Sequence, residues 1–113
     1  MSAIYATNLV INTGTSFSQT FNLSSSENNV PFNLSGWEPT AQIRKWPGAT
    51  GVTTFTAELG DPATAGVIIL SLTAEQTATL KAGRHVYDIV ITQGAQKQRV
   101  VEGSVLVREG VTR

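Results

Sequence analysis

Apolar residues alternate with polar ones along most of the chain, and glycine or proline interrupts the alternation about every ten residues. In the clearest example, Phe17, Phe21 and Leu23 share one parity, with Gln19 as the only polar residue among them. A period of two is typical of a strand with one buried face, because successive side chains point to opposite faces of a sheet. The same alternation recurs at 40–44, 86–91 and 101–107. The chain is therefore predicted to consist mainly of short strands.

One segment departs from this period. Residues 73–82 begin with Thr73 and Gln76 at the spacing of a capping box, and Gly83 follows where a left-handed C-terminal residue is suitable. The segment predicts a single short helix over about 73–82.

Seven or eight strands with one helix between two late strands fit a pair of antiparallel sheets packed face to face. The continuous apolar run at 67–72 predicts a central strand covered on both faces. A small barrel is the alternative that the pattern leaves open. The chain of 113 residues shows no linker and no repeat, so residues 1–113 are predicted to form a single domain.

Charge and cysteine content narrow the classes of function. Eight Lys and Arg balance eight Asp and Glu, and a nucleic-acid binder usually needs a basic surplus, so no nucleic-acid partner is expected. The chain contains no cysteine, which excludes disulfides, thiolate metal sites and cysteine nucleophiles. No signal peptide or membrane-spanning run is evident, so synthesis in a cytoplasm and no membrane partner are expected.

Residues for catalysis are scarce. His85 is the only histidine, and it is expected to be a strand residue with a partly exposed ring. Asp61 and Asp88 are the only aspartates, and their sequence contexts suit a turn and a strand. No nucleophile elbow or glycine-rich phosphate loop is present. We therefore expect no enzyme activity, no catalytic residues, no metal site and no cofactor.

Aromatic and basic residues are better candidates for contact with a partner. Trp37 and Trp46 bracket one predicted strand, and each lies beside a turn-forming glycine or proline. A tryptophan at a strand end either caps the core or stays exposed and anchors a partner or a sugar ring. We predict Trp37, Trp46 and Arg44 as candidate partner contacts. Tyr87 resembles the corner tyrosine of sandwich domains, whose hydroxyl holds a neighbouring loop.

Charged side chains are also expected to protect the sheet edges from pairing with other chains. The candidates for this role are Arg44, Lys45, Lys97 and Arg99. Leu106 and Val107 have few charges nearby until Arg108.

An ordered set of short motifs covers nearly the whole chain, from about residue 8 to residue 112. The set comprises Gly14 to Phe17, Asn33 to Gly36, Ala41 to Arg44, the run from Leu70 to Ile89, and Val101 to Val107. It resembles small immunoglobulin-like domains of tailed-bacteriophage structural proteins, such as the N-terminal domain of baseplate upper proteins and related tail and neck proteins.

The resemblance implies an all-β, immunoglobulin-like antiparallel β-sandwich and a non-enzymatic assembly module in the tail, baseplate, neck or fibre-attachment region of a virion. The implied partners are other virion proteins and further copies of this chain, in trimers or hexamers. Two alternatives stay open: a capsid decoration protein, and a carbohydrate-binding or host-attachment module that uses Trp37 and Trp46.

Overall fold

Two facing β-sheets account for most of the chain in a computed structural model, which describes residues 5–23, 33–49 and 52–110. Within these residues the strands are β1 (Tyr5–Ala6), β2 (Leu9–Asn12), β3 (Phe17–Asn22), β4 (Glu38–Arg44), β5 (Val52–Thr54), β6 (Thr56–Leu59), β7 (Val67–Leu72), β8 (Gly83–Gln93) and β9 (Gln96–Arg108). The α-helix α1 spans Ala74–Ala78, and a single 3-10 turn spans Ala63–Ala65. With five residues, α1 is too short to cross a bilayer, and no other α-helix occurs in the described part.

Sheet A has the order β1-β9-β8-β4-β5, with β2 following β1 along the same side of β9, and sheet B has the order β3-β7-β6. Strands β5 and β6 are one extended segment that changes sheet at Phe55, where the Phe55 amide donates to the Ala41 carbonyl at 2.9 Å. Strands β1 and β2 likewise form one segment, which runs parallel to β9. When β1–β2 and β5–β6 are each counted as one segment, the described residues contain seven strand segments, in agreement with the prediction of seven or eight. The prediction of two facing sheets is also confirmed.

The core lies between the sheets and follows the parity read from the sequence. Tyr87, Ile89 and Ile91 point inward from β8, while Val86, Asp88 and Val90 lie on its outer face. A β-bulge in β9 turns both Val100 and Val101 into the core. The side chains that are 2% exposed or less include Ile11, Leu34, Ile43, Ile68, Leu70, Ile89, Ile91, Val100, Val101, Val105 and Val107.

The prediction that β7 is covered on both faces is wrong. Ile68, Leu70 and Leu72 are buried against sheet A, but Val67 and Ile69 on the opposite face are only partly buried. Strand β7 is central because β3 and β6 flank it within its sheet. No layer in the described residues covers the outer face of sheet B.

The helix is shorter than the predicted 73–82. Its capping box is confirmed, since the Gln76 amide donates to Thr73 Oγ1 at 3.1 Å and the Thr73 amide donates to Gln76 Oε1 at 2.9 Å. The helix ends after Ala78 because the chain tightens at Leu80, whose amide donates to the Thr77 carbonyl and whose side chain packs against the core. Gly83 therefore does not cap the helix; it begins β8 with a φ of 125°.

Tyr87 holds the N-terminal segment in place, as a corner tyrosine would. Its hydroxyl donates a 2.6 Å hydrogen bond to the carbonyl oxygen of Thr7, in the interval between β1 and β2. Its ring contacts Phe21 and Phe55, with centroids 6.5 and 6.3 Å away. Burial raises the pKa of Tyr87 to about 12.

Candidate interaction surface

The three predicted contact residues lie along β4 but not at one place. Trp37 precedes the strand and Trp46 follows it, so the seven-residue strand, about 23 Å long, lies between them. Trp37 is partly buried and packs against the core, whereas Trp46 is 61% exposed. The structure therefore does not assemble the two tryptophans into one site, and only Trp46 presents most of its indole to solvent.

Arg44 positions the loop that carries Trp46. Its guanidinium donates hydrogen bonds to the carbonyl of Ala49 and to Gln42 Oε1, the latter at 3.1 Å. The Ala49 amide in turn donates to the Trp46 carbonyl at 3.0 Å, and Ala49 is buried. Arg44 thus ties the turn that carries Trp46 to the sheet, and two of the five N–H groups of its guanidinium bond within the chain.

A groove beside Trp46 runs between the end of β4, strand β5 and the segment that follows α1. We call its exposed part the Trp46 surface, and it comprises Lys45, Trp46, Val52, Leu80 and Lys81. Val52 is 43% exposed and Leu80 is partly buried. The lining side chains of this groove include cations and apolar groups but no carboxylate. A ligand that fits here would present an apolar group to the indole and negative charge to the lysines.

His85 lies at the base of this groove, and it is buried, not partly exposed as predicted. Its Nε2 lies 2.7 Å from the Lys81 carbonyl oxygen, so this nitrogen carries the proton and donates. The inward parity of β8 at position 85 explains the burial. The hydrogen bond fixes the turn between α1 and β8, which is a structural role.

The described carboxylates do not form a clustered site. Asp88 accepts a 3.0 Å hydrogen bond from Arg99 on the outer face of sheet A, and Glu102 lies 4.0 Å from the same guanidinium. Asp61 is exposed in the bend before the 3-10 turn. In the ranges 5–23, 33–49 and 52–110, no three His, Asp or Glu side chains come together as metal ligands would.

A second apolar patch, which the sequence reasoning did not single out, lies on the outer face of sheet A. Val10 of β2 and Leu106 of β9 are directly paired, and they are 51% and 43% exposed. The alternation of β2 predicts the exposure of Val10, because Val10 has the opposite parity to the buried pair Leu9 and Ile11.

The predicted edge guards are only partly at edges. Arg44 lies on β4, which has β5 and β8 on its two sides. Lys97 and Arg99 lie on the part of β9 that extends past β1, and among residues 5–23, 33–49 and 52–110 no strand pairs with β9 there on the side of β1. Leu106 and Val107 need no guard, since β2 pairs with them. In the described part of the chain, the long edge without charge is β3, which sequence reasoning missed.

Comparison with known proteins gives structural matches only. No family model matches the sequence, and no curated protein matches it. The chain aligns with the N-terminal domain of ORF48 of phage TP901-1 at a TM-score of 0.54 and 14% identity, covering 90% of this chain and 85% of that one. It aligns with InlP of Listeria monocytogenes at a TM-score of 0.52 and 14% identity, covering 95% of this chain but only 28% of InlP.

A looser alignment relates the chain to the N-terminal Ig1-2 module of the Drosophila receptor protein tyrosine phosphatase DLAR, with a TM-score of 0.45 and 18% identity over 93% of this chain and 46% of that one. At these identities the comparisons bear on fold alone. The strand order of the two sheets and the ORF48 alignment agree with the predicted fold class. The fold is an immunoglobulin-like β-sandwich.

Proposed function

We propose that this protein is a non-catalytic structural module of a tailed-phage particle, which docks onto other virion proteins in the tail, baseplate, neck or fibre-attachment region. The similarity to the ORF48 domain supports this proposal, because this chain covers 85% of that phage domain. The ordered motifs that resemble phage structural domains support it independently.

The observation that carries the proposal is the Trp46 surface. An indole that is 61% exposed, held outward by a loop braced on Arg44, has the form of an anchor for a partner. Lys45 and Lys81 flank it without a carboxylate in the groove. The proposed partner therefore offers an apolar pocket for the indole and an acidic rim, and its charge complements this surface.

Incorporation into particles tests this proposal. Virions are produced with the wild-type chain, with W46A or with T56A, which changes an exposed residue on sheet B that does not line the groove. Each chain is quantified by mass spectrometry against the major capsid protein after density-gradient purification. We expect a constant ratio for wild type and T56A, and at least about tenfold less W46A, since one anchor residue typically contributes 2 kcal/mol or more.

Two results would contradict the proposal. Wild-type chain that is absent from purified particles would exclude a virion role, and full incorporation of W46A would exclude the Trp46 surface as the docking site. Separation of tails from capsids before quantification distinguishes a tail component from a capsid decoration protein.

Further copies of this chain are among the proposed partners, in trimers or hexamers that match the threefold and sixfold symmetry of phage particles. Light scattering of the purified protein tests this, with an expected mass three or six times the chain mass of 12.0 kDa. A monomer at high concentration would leave only assembly with other proteins.

Attachment to a host carbohydrate is a second candidate function, and the exposure of Trp46 favours it. A sugar ring can stack on an exposed indole, while Lys45 and Lys81 bind an acidic substituent. Because Trp37 packs against the core, this candidate rests on Trp46 alone. Fluorescence titration with acidic and neutral oligosaccharides tests it: an emission change that W46A abolishes supports it, and no change with either class contradicts it.

A further inference from the structure

Strand β3 forms one edge of sheet B. Its inner side pairs with β7 over all six residues, from Phe17 opposite Leu72 to Asn22 opposite Val67. Within residues 5–23, 33–49 and 52–110, no strand lies on its outer side. Among these residues, the backbone groups on that side have no strand to bond to.

The direction of these backbone groups follows from one hydrogen bond. The Leu23 amide donates to the Gly66 carbonyl at 2.7 Å, toward β7. Because hydrogen-bonding direction alternates along an antiparallel strand, the odd-numbered residues of β3 bond toward β7. Ser18, Thr20 and Asn22 consequently direct their N–H and C=O groups outward. The side chain amide of Gln19 lies 3.4 Å from the Thr20 carbonyl oxygen, which agrees with this direction.

This edge lacks the features that usually prevent strand pairing. Natural proteins protect edges with charged side chains, proline, bulges or short strands. Residues 14–23 contain no charged residue and no proline. The other edges differ: β5 has three residues, β6 has four and includes Glu58, and the β1–β2 segment is interrupted at Thr7. Strand β3 is thus the longest uninterrupted edge in the described residues.

We propose that β3 pairs antiparallel with β3 of a second copy of this chain, about a twofold axis that passes between the two Thr20 residues. A twofold axis perpendicular to the sheet places each residue opposite its mirror position, so both copies keep their buried faces on the same side. With Thr20 at the centre, its own N–H and C=O groups bond across the axis, and Ser18 exchanges bonds with Asn22 of the second copy. This register uses all three outward residues and makes about six backbone hydrogen bonds.

The side chains suit this register. On the outer face, Thr20 meets Thr20 and Ser18 meets Asn22, all of which are exposed, polar and uncharged. On the inner face, the partly buried Phe17 lies opposite Leu23 of the second copy. No like charges oppose each other, and Thr–Thr and polar pairs of this kind stabilise antiparallel strands. An uncharged, self-complementary edge therefore favours a second copy of this chain over a charged partner.

The inference deepens the proposed self-assembly, and it does not depend on the Trp46 surface or on the virion role. A twofold contact occurs in a hexamer with dihedral symmetry but not in a cyclic trimer. We therefore expect an even number of subunits.

Charge at the self-opposed position provides the test. In T20K, two lysines meet at the axis, and their repulsion is expected to weaken the contact about tenfold or more and to halve the mass of the oligomer in light scattering. The matched control is T56K, which places lysine on the exposed face of the opposite edge strand and is expected to leave the mass unchanged. High salt is expected to restore the T20K contact, since salt screens the repulsion.

Mixing experiments test the register. T20E alone is expected to dissociate like T20K, whereas an equimolar mixture of T20K and T20E is expected to reform the contact. S18K opposes Asn22 instead of itself, so it is expected to weaken the contact less than T20K does. Because the chain has no cysteine, T20C provides a single thiol for cross-linking with a short bismaleimide, and covalent dimers are expected.

Several results would overturn the contact. They are a wild-type protein that stays monomeric at high concentration, an oligomer whose mass T20K does not change, and a T20K–T20E mixture that does not associate. Hydrogen exchange provides a further test: protection of the backbone amides at positions 18, 20 and 22 in monomeric T20K would show that the same chain already covers the edge. These results, all obtained with purified protein, would overturn the β3 contact alone. Failure of the proposed virion role would instead appear as absence of the chain from purified particles.

Discussion

Gly103 of β9 lies directly beneath the carbonyl of Thr7, so closely that a Cβ on Gly103 would come within 2.0 Å of the Thr7 oxygen. Gly103 is also the residue of β9 that pairs with Tyr87. The absence of a side chain at position 103 lets the N-terminal segment approach β9 closely at Thr7, whose carbonyl accepts the Tyr87 hydrogen bond. Three residues from three strand segments thus fix the N-terminal segment on sheet A.

Replacing Gly103 with alanine is expected to destabilise the protein strongly. The added methyl group meets backbone, which cannot move aside as a flexible side chain could, so the N-terminal segment must shift and lose the Tyr87 bond. We expect G103A to lower the free energy of unfolding by about 3 kcal/mol or more, measured in urea. G94A is the control: it introduces strain at a φ of 58° but no contact, and it should cost about 1 kcal/mol. Equal losses for both variants would contradict this account.

Removing only the hydroxyl of Tyr87 tests the hydrogen bond itself. Y87F keeps the ring contacts with Phe21 and Phe55 but leaves the Thr7 carbonyl without this donor. We expect a loss of about 1–2 kcal/mol in the free energy of unfolding. Faster hydrogen exchange should be confined largely to the Leu9 and Ile11 amides, next to the released segment. Unchanged exchange there, or a uniform increase across sheet B, would show that the bond does not anchor this segment.

Alkaline pH should weaken the fold through the same group. The pKa of Tyr87 is raised to about 12 in the folded protein, against about 10 in an unfolded chain. The neutral hydroxyl is therefore favoured by folding, so its contribution is fully present below about pH 10 and is lost as the pH rises through about 12. The slope approaches about 1.4 kcal/mol per pH unit in that window. Urea unfolding of wild type and Y87F between pH 8 and pH 12 isolates this contribution. The difference between their free energies of unfolding should narrow only above about pH 10.

Most of the fold could be predicted from side-chain parity. Leu9 and Ile11, Ala41 and Ile43, and the inward residues of β8 are buried as their alternation indicates. The capping box at Thr73 was likewise readable, because it depends only on local spacing. These features need no knowledge of what packs against them.

The remaining features depend on which elements become neighbours. The helix ends early because Leu80 meets the core. The partner of His85, the Lys81 carbonyl, comes from the turn after α1, which side-chain parity does not identify. The residues of β3 alone do not predict that this strand lies at an edge. Its position follows from the N-terminal segment, which pairs with β9 and not with β3. For the same reason the sequence could nominate Trp37 and Trp46 together but could not show that one packs inward.

A buried threonine is expected to tie α1 to the turn after β2. Thr77 is fully buried, and its hydroxyl lies 2.7 Å from the Thr15 carbonyl oxygen and 3.0 Å from that of Ala74. T77V keeps the volume but removes the donor, so we expect a loss of about 1–2 kcal/mol in unfolding free energy. T79V is the matched control, because Thr79 is exposed and its hydroxyl bonds only within its own helix; it should change stability by less than about 0.5 kcal/mol. Similar losses in both variants would argue against a role for the Thr15 contact.

The different environments of the two tryptophans should be directly visible in fluorescence. The chain has only two tryptophans, so W37F reports on Trp46 alone and W46F on Trp37 alone. Because Trp46 is 61% exposed while Trp37 packs against the core, W37F should emit at longer wavelength and be quenched several-fold more strongly by acrylamide. Unfolded samples of both variants in urea provide the reference for full exposure. If Trp46 in W37F is instead shielded from acrylamide, the measurement is repeated at lower protein concentrations. Shielding that disappears on dilution means that another copy covers the indole. Shielding that persists at the lowest concentration means that the loop braced by Arg44 folds the indole onto its own chain, which would remove the anchor on which docking through the Trp46 surface depends.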